Sequence, residues 1–187
     1  MMKKFINLFA VLLMLTACQD MRVSDSLNQI DSLVVREQYD SACVILNNLN
    51  GTAMTEEDQA HYRLLETKLG FFTNHPLLSD SLLDLAIAYY KEAGNNEKLA
   101  DAYYYKSYSF EIDNDYPQAI LYGKEAEHFA MMTDDIRLQF KAIEKLSYLN
   151  GLCENDILQL QYAKKALAIA QKVNNKNWIF SKYWSAL

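Results

Sequence analysis

The chain has 187 residues, a net charge of −6 and a hydrophobic fraction of 51%. It contains only 5 glycines and 2 prolines, which argues against collagen-like and disordered proteins and suits a helical one. The excess of acidic residues excludes the basic surface on which nucleic-acid binding depends. This length suffices for one compact domain or for a short solenoid of stacked helices.

The N-terminal segment, positions 1–17, has the features of an export signal. Lys3 and Lys4 form a short positive region, and the apolar run from Phe5 to Leu15 is too short to span a bilayer comfortably. The following Leu15-Thr16-Ala17-Cys18 resembles the bacterial lipobox, whose cysteine is lipidated and becomes the new N-terminus after cleavage. The resemblance implies that Cys18 carries a lipid anchor. The alternatives are an ordinary signal peptide with an incidental cysteine, and a transmembrane anchor.

Residues 18–25 are mostly polar and predict a tether between this lipid and the fold. The resemblance to the lipobox implies a bacterial cell-envelope protein on the periplasmic side of a membrane. Gln19, and not an aspartate, follows the cysteine. By analogy with the lipoprotein sorting rule of enteric bacteria, this favours the outer membrane over the inner one. We therefore expect a membrane partner through the N-terminal lipid, and a folded region that spans residues 26–187.

Apolar residues recur at helical spacing through this region, and no convincing strand is present. Capping residues separate the runs, as where Asp113-Asn114-Asp115 precedes Pro117. The aromatic run at 178–187 leads us to expect a natural chain that continues beyond Leu187, the alternative being an amphipathic end cap. About nine helices are predicted, at residues 26–37, 40–49, 55–72, 79–93, 99–110, 117–130, 136–152, 156–170 and 178–187.

Small residues mark an internal repeat of helical hairpins. Ser107 and Gly151 each stand 12 positions before a small residue of the following helix, which lets two helices cross closely. The small residues that open the second helices, at intervals of 44, 33 and 44 positions, are Ala42, Ala86, Ala119 and Ala163.

The unit from Lys98 to Met131 resembles a tetratricopeptide repeat, departing from it at Gly123 and Met131 and in the wider spacing of its neighbours. The resemblance implies an all-α fold of antiparallel helical hairpins stacked as a right-handed solenoid. A helical bundle without solenoid order is the alternative. The residues that carry the resemblance are Tyr103, Ser107, Phe110, Ala119 and Ala126.

In tetratricopeptide arrays the first helix of each hairpin lines a concave groove that binds a protein or peptide. Tyrosines on such a surface suit an extended peptide or a sugar, because they give rigid amphipathic contacts at low entropic cost. Tyr103 is expected to pack inside its hairpin, and the alternative for every groove tyrosine is packing between hairpins. The groove positions implied by the resemblance are Thr67, Phe71, Asp101, Tyr104, Tyr108, Glu111, Lys145 and Tyr148.

The sequence offers little for catalysis or metal binding. His61, His75 and His128 stand far apart, and none has a second histidine or cysteine at metal-ligand spacing. We predict no enzyme, no catalytic residue, no metal and no cofactor. Cys43 and Cys153 lie in distant hairpins, so two buried thiols are predicted rather than a disulfide.

These features predict a membrane-anchored module for protein or peptide interaction. The chain resembles lipoprotein-type repeat domains that form the extracytoplasmic sensor part of signalling or transcription regulators. Two alternatives remain open, an envelope-assembly scaffold lipoprotein and a glycan-binding lipoprotein of a nutrient-uptake system. An enzyme is the least favoured class.

Overall fold

The computed structural model describes residues 23–73 and 80–175. The predicted signal peptide, Cys18, His75 and the aromatic run at 178–187 lie outside these residues. Within them the chain forms eight α-helices and no strand, so the predicted all-α class is confirmed. None of these helices combines the length and the apolar composition needed to cross a bilayer.

The helices follow the predicted runs closely. The first includes residues 23–25, which were predicted as part of the tether, and Val23 is buried in the core. In chain order they are α1 (residues 23–35), α2 (Tyr39–Asn48), α3 (Glu56–Phe72), α4 (Asp80–Glu92), α5 (Asn96–Ile112), α6 (Tyr116–Ala130), α7 (Ile136–Leu152) and α8 (Asp156–Lys172).

The same tight turn joins the two helices of each C-terminal hairpin. After α5, Asn114 adopts a left-handed φ of 59°, and the amide of Asp115 donates to the Phe110 carbonyl at 2.9 Å. The Asp115 carboxylate then accepts from the Gln118 amide at 3.2 Å, which caps α6. One residue therefore closes the first helix and opens the second.

The turn between α7 and α8 repeats this arrangement one hairpin later. Glu154 has a φ of 56°, and the amide of Asn155 donates to the Asn150 carbonyl at 2.9 Å. The Asn155 side chain accepts from the Leu158 amide at 3.3 Å. The helix cap predicted within Asp113-Asn114-Asp115 is confirmed at Asp115, and Asn155 caps the helix that was predicted to begin at residue 156.

The chain divides into two compact units, residues 1–89 and residues 90–187, with the boundary inside α4. In the N-terminal unit, α1, α2 and α3 share an apolar core. Its fully buried members include Leu27 and Ile30 from α1, Ala42 from α2 and Leu65 from α3. These residues occupy the helical spacings that the sequence predicted.

Among the described residues, the C-terminal unit contains the end of α4 and the hairpins α5–α6 and α7–α8. Helix α7 packs against α5 as well as against α6 and α8, so the first helices of the two hairpins are neighbours. Tyr103 is buried between the hairpin helices, with its ring 5.5 Å from that of Phe129 and 6.2 Å from that of Tyr122. Its predicted packing role is confirmed.

Two equivalent hydrogen bonds show that the C-terminal hairpins repeat at a different interval from the one predicted. The Ser107 hydroxyl donates to the Ala119 carbonyl at 2.7 Å, and the Ser147 hydroxyl donates to the Gln159 carbonyl at 3.0 Å. Ser147 is therefore the equivalent of Ser107. The two hairpins therefore repeat at an interval of 40 positions, the same as the separation of Asp101 and Lys141, instead of the predicted 44. The predicted equivalent, Gly151, stands one helical turn too far along the chain.

This register also explains Gly123, which departs from the repeat pattern. A Cβ atom at this position would lie 3.0 Å from Leu146 Cδ2 and 3.4 Å from Ser107 Oγ. The missing side chain thus makes room for the fully buried Leu146 of α7. Leu146 of the neighbouring hairpin therefore fills the space that a large side chain usually occupies at this repeat position.

Both cysteines within the described residues are free thiols. Cys43 is half-buried, whereas Cys153 is exposed because it follows the last residue of α7. The prediction of two buried thiols is therefore wrong for Cys153.

Candidate binding site

A cleft of about 560 Å³ lies on the surface of the C-terminal unit, along helices α5 and α7. We call it the α5–α7 cleft. Tyrosines and charged side chains form most of its wall, and Gly151 and Leu152 lie at the end of α7. The aromatic and charged residues that line it are Tyr104, Tyr108, Glu111, Glu144, Lys145 and Tyr148.

Helical periodicity brings these side chains together. On α5, Tyr104, Tyr108 and Glu111 recur at intervals of four and three residues, so they share one face. On α7, Glu144 and Tyr148 are also four residues apart. Because α5 packs against α7, the two faces meet along the cleft.

Two cross-helix ion pairs join α5 to α7. Lys141 Nζ lies 3.0 Å from Asp101 Oδ1, and the Lys145 ammonium bonds to the Glu111 carboxylate. Lys145 and Asp101 are buried, with exposed fractions of 5% and 8%. Each α7 lysine therefore meets an α5 acid in a region from which water is largely removed.

Aromatic rings surround both lysines. Lys145 Nζ lies 4.1 Å from the ring centroid of Tyr108, 5.7 Å from that of Tyr104 and 5.9 Å from that of Tyr148. Lys141 Nζ lies 3.9 Å from the Tyr104 centroid, which places both lysines within the range of cation–π attraction. Burial lowers the pKa of the Lys145 ammonium below its ordinary value, and the hydrogen bond with Glu111 opposes that shift.

The tyrosine hydroxyls of the cleft stay protonated at neutral pH. The pKa of the Tyr104 phenol is raised well above its ordinary value, first by burial and then by the carboxylates of Glu144, Asp101 and Glu111. Burial and Glu111 also raise the phenol pKa of Tyr108 and of Tyr148. The hydroxyls therefore remain neutral groups that both donate and accept hydrogen bonds.

The structure brings six of the eight predicted groove residues together on the α5–α7 face and leaves two elsewhere. Thr67, on α3 of the N-terminal unit, is only 3% exposed, and its hydroxyl donates to the Arg63 carbonyl at 3.0 Å. Phe71 is half-buried, with its ring edge-on to that of Phe72 at 4.9 Å. The six residues on the α5–α7 face are Asp101, Tyr104, Tyr108, Glu111, Lys145 and Tyr148.

Lys141 and Glu144 also lie at this face, although neither was among the predicted groove residues. In the observed register Lys141 is the counterpart of Asp101, and Glu144 is the counterpart of Tyr104. The helix caps indicate the observed register, because the N-cap residues of α5 and α7, Asn95 and Asp135, are separated by the same interval as Asp101 and Lys141. Aligning capping residues rather than small residues would have identified both positions.

The arrangement supplies rings, hydroxyls and charges that suit non-covalent binding of a polar chain. Among residues 23–73 and 80–175, no group of three or more histidine, cysteine, aspartate or glutamate side chains is placed to hold a metal ion.

No protein-family model matches the sequence, and no curated protein matches it.

Proposed function

We propose that the chain is a membrane-tethered interaction module that binds an extended peptide segment of a partner protein in the α5–α7 cleft. The observation that carries the proposal is the concave wall of three tyrosines, Tyr104, Tyr108 and Tyr148, arranged around a buried ion pair. A concave site with aromatic walls and a few fixed polar groups is the usual form of a ligand site.

The rigidity of the wall supports binding. A tyrosine has two side-chain torsions, so it presents a large contact area at little entropic cost. The Lys145–Glu111 and Lys141–Asp101 pairs further restrict the side chains, because each links α5 to α7. A surface ordered before binding loses less free energy when its ligand arrives.

The repeat order of the C-terminal unit supports a solenoid of tetratricopeptide type as part of this proposal. The two hairpins have equivalent turns and adjacent first helices. The first helices of neighbouring hairpins line the cleft, as the resemblance implies for a groove. The observed interval of 40 positions is longer than the 34 of the standard tetratricopeptide unit.

The lipobox at Leu15–Cys18 supports attachment of the module to a membrane of the bacterial envelope. Replacing Cys18 with serine removes the thiol that would receive the lipid. Metabolic labelling with a fatty acid is therefore expected to mark the wild-type chain and not the C18S variant. Equal labelling of both would contradict the anchor.

Selection from a random peptide library tests the cleft itself. The full chain in detergent is expected to enrich peptides whose binding is lost in the double variant Tyr108→Ala with Tyr148→Ala. The matched control is Tyr39→Ala, which removes a tyrosine of the N-terminal unit stacked on Phe72 at 4.4 Å. Peptides that bind the double variant as well as the wild type would place the binding site elsewhere and overturn the proposal.

Such a module suits the sensor part of an envelope-spanning regulator, in which occupancy of the cleft would report the presence of the partner. Joint purification with a β-barrel protein would favour the scaffold alternative, and binding on a glycan array would favour the sugar alternative.

A further inference from the structure

We infer that the peptide bound in the α5–α7 cleft carries an uncharged apolar side chain at its anchor position, and that Tyr148, Leu152 and Gln159 form the subsite that receives it. Tyr148 and Leu152 pack against this side chain, and the Gln159 amide bonds to the peptide backbone beside it. The inference rests on the proposed function, and it adds the chemical class of the group that the cleft selects.

The charged groups of the cleft have partners inside the protein. The Lys145 ammonium bonds to the Glu111 carboxylate. Lys141 Nζ lies 3.0 Å from Asp101 Oδ1, and Glu144 also has an interaction within the protein. Because Lys145 and Asp101 are buried, a charged ligand side chain would have to break a pair in a region with little water. An uncharged side chain avoids this cost and complements a cleft whose charges are already paired.

Two neighbouring side chains near the end of α7 supply apolar surface. Tyr148 and Leu152 are four residues apart, so they share one face of the helix, and both line the cleft. Their exposed fractions are 53% and 40%. The ring of Tyr108, by contrast, has Lys145 Nζ over it at 4.1 Å. Tyr148 and Leu152 therefore offer the apolar area that a ligand can still cover.

The side chain of Gln159, on α8, lies against the helical Gly151. A Cβ atom at position 151 would lie 2.8 Å from the Gln159 amide nitrogen, so the glycine makes the space that the amide occupies. The Ser147 hydroxyl donates to the Gln159 backbone carbonyl at 3.0 Å, which holds this part of α8 to α7. Among the described side chains, none bonds to the Gln159 amide group. The cleft thus has a polar group in a fixed place beside its apolar pair.

A carboxamide suits the backbone of an extended peptide, because it can donate and accept at the same time. Each peptide residue other than proline offers one N–H donor and one C=O acceptor. Side chains of an extended peptide alternate between its two faces, so a backbone bond to Gln159 leaves a neighbouring side chain directed at Tyr148 and Leu152. The amide fixes the position of the peptide, and the apolar pair selects its side chain.

The test uses the peptides selected on the full chain and measures their affinity by fluorescence anisotropy. Replacing the apolar anchor residue with alanine is expected to weaken binding about tenfold, since buried apolar area is lost. N-methylation of the backbone amide beside the anchor removes one hydrogen bond and should weaken binding about fivefold. Raising the NaCl concentration from about 50 to about 500 mM should change the affinity less than about twofold, because no ion pair forms across the interface.

A variant of the protein tests the amide from the other side. Gln159→Met keeps the length of the side chain and removes its amide. It is expected to weaken the parent peptide about fivefold and to leave the N-methylated peptide unchanged, since that peptide has already lost the bond. The control Gln161→Met alters an exposed glutamine of the same helix and should leave both affinities unchanged.

The outcomes separate this inference from the proposed function. Selected peptides that require Tyr108 and Tyr148 but have a charged anchor, or that bind Gln159→Met as tightly as the wild type, would overturn the inference and leave the proposed function standing. A loss of affinity greater than about tenfold at high salt would do the same. Peptides indifferent to both tyrosines would instead overturn the proposed function.

Discussion

Both units of the molecule join helices through carboxylates and cationic side chains, but they do so differently. In the N-terminal unit one carboxylate, Asp31 on α1, lies 2.7 Å from His61 Nε2 and 3.3 Å from Lys68 Nζ on α3. In the C-terminal unit Lys141 and Lys145 each have their own acid on α5, and tyrosine rings lie over both ammonium groups. A shared carboxylate links one helix to another at a single point, whereas the separate pairs link α5 to α7 at two points and hold the rings of the α5–α7 cleft between them.

The largest expected difference between the two clusters is in the free energy of unfolding. Lys145→Met leaves the half-buried Glu111 carboxylate without its ammonium, and we expect a loss of about 3 kcal/mol. Lys68→Met should cost below about 1 kcal/mol, because Asp31 is 29% exposed and His61 stays beside it. Urea unfolding followed by far-ultraviolet circular dichroism measures both losses.

The double variant Lys145→Met with Glu111→Gln is the control for this pair. It removes both charges, and it should recover part of the loss of the single variant. Equal losses for Lys145→Met and Lys68→Met would contradict the distinction between the two clusters.

A smaller effect is expected at the two helical glycines of the C-terminal unit. Gly123→Ala should lower stability by about 1 kcal/mol, since overpacking against the buried Leu146 outweighs the gain in helix propensity. Gly151→Ala should raise it by about 0.5 kcal/mol, because the new Cβ meets only the flexible end of Gln159. Thermal unfolding of both variants measures the difference, and the same sign for the two would contradict this difference in packing around the glycines.

Another group of a tyrosine ring, a lysine and an acid lies on α6 and α8, and it should affect the stability of the protein at high pH. The Tyr162 hydroxyl lies 3.3 Å from Glu127 Oε2, and Lys165 Nζ lies 4.8 Å from the Tyr162 ring centroid. Burial, followed by the charge of Glu127, raises the pKa of Tyr162 to about 12.

Because the folded state holds the phenol proton more tightly than the unfolded chain does, this contribution is complete below about pH 10, the ordinary tyrosine value. It is lost as the pH rises from there towards 12. Tyr162→Phe should flatten this part of the stability curve, as measured by urea unfolding at a series of alkaline pH values. A curve identical to that of the wild type would contradict the prediction.

The smallest expected change in the free energy of unfolding is at the cleft residue Tyr148, in contrast to a tyrosine of the core. Tyr148→Ala should change the free energy of unfolding by less than about 0.5 kcal/mol, because the side chain is 53% exposed. Tyr103→Ala, which empties a buried site, serves as the contrasting variant and should cost about 3 kcal/mol. Chemical unfolding measures both, and a large loss for Tyr148→Ala would mean that its ring is needed for packing.

Helices and caps could be predicted from the sequence because their signals are local. Thr55 accepts from the Asp58 amide at 3.1 Å and Asp115 accepts from Gln118, as their positions before acidic or proline-containing first turns indicate. The packing of Tyr103 followed from its place on the apolar face. Each of these inferences needed only a few neighbouring residues.

The register of the hairpins could not be fixed by small residues alone. Ala119, Gly123 and Ala126 recur every three or four positions on α6, as do Ala163, Ala166 and Ala170 on α8. Sliding one helix by a turn therefore matches small residues to small residues again. Lys141 and Glu144 were missed for this reason. The end of α7 at Leu152 was predicted correctly, but the exposure of Cys153 just beyond it depends on tertiary packing that the local pattern does not specify.

In the two hairpin turns, the residue that closes the first helix also caps the second. This arrangement has an evolutionary consequence. The helix-closing half of this turn is also present after α8, where Asn174 has a φ of 52° and the Asn175 amide donates a hydrogen bond to the Ala170 carbonyl at 3.0 Å. Such joints are self-contained, so a whole hairpin can be duplicated or lost without rebuilding the connections on either side. Each duplication would add another pair of helices to the array, which makes gene duplication a direct route to a longer helical surface.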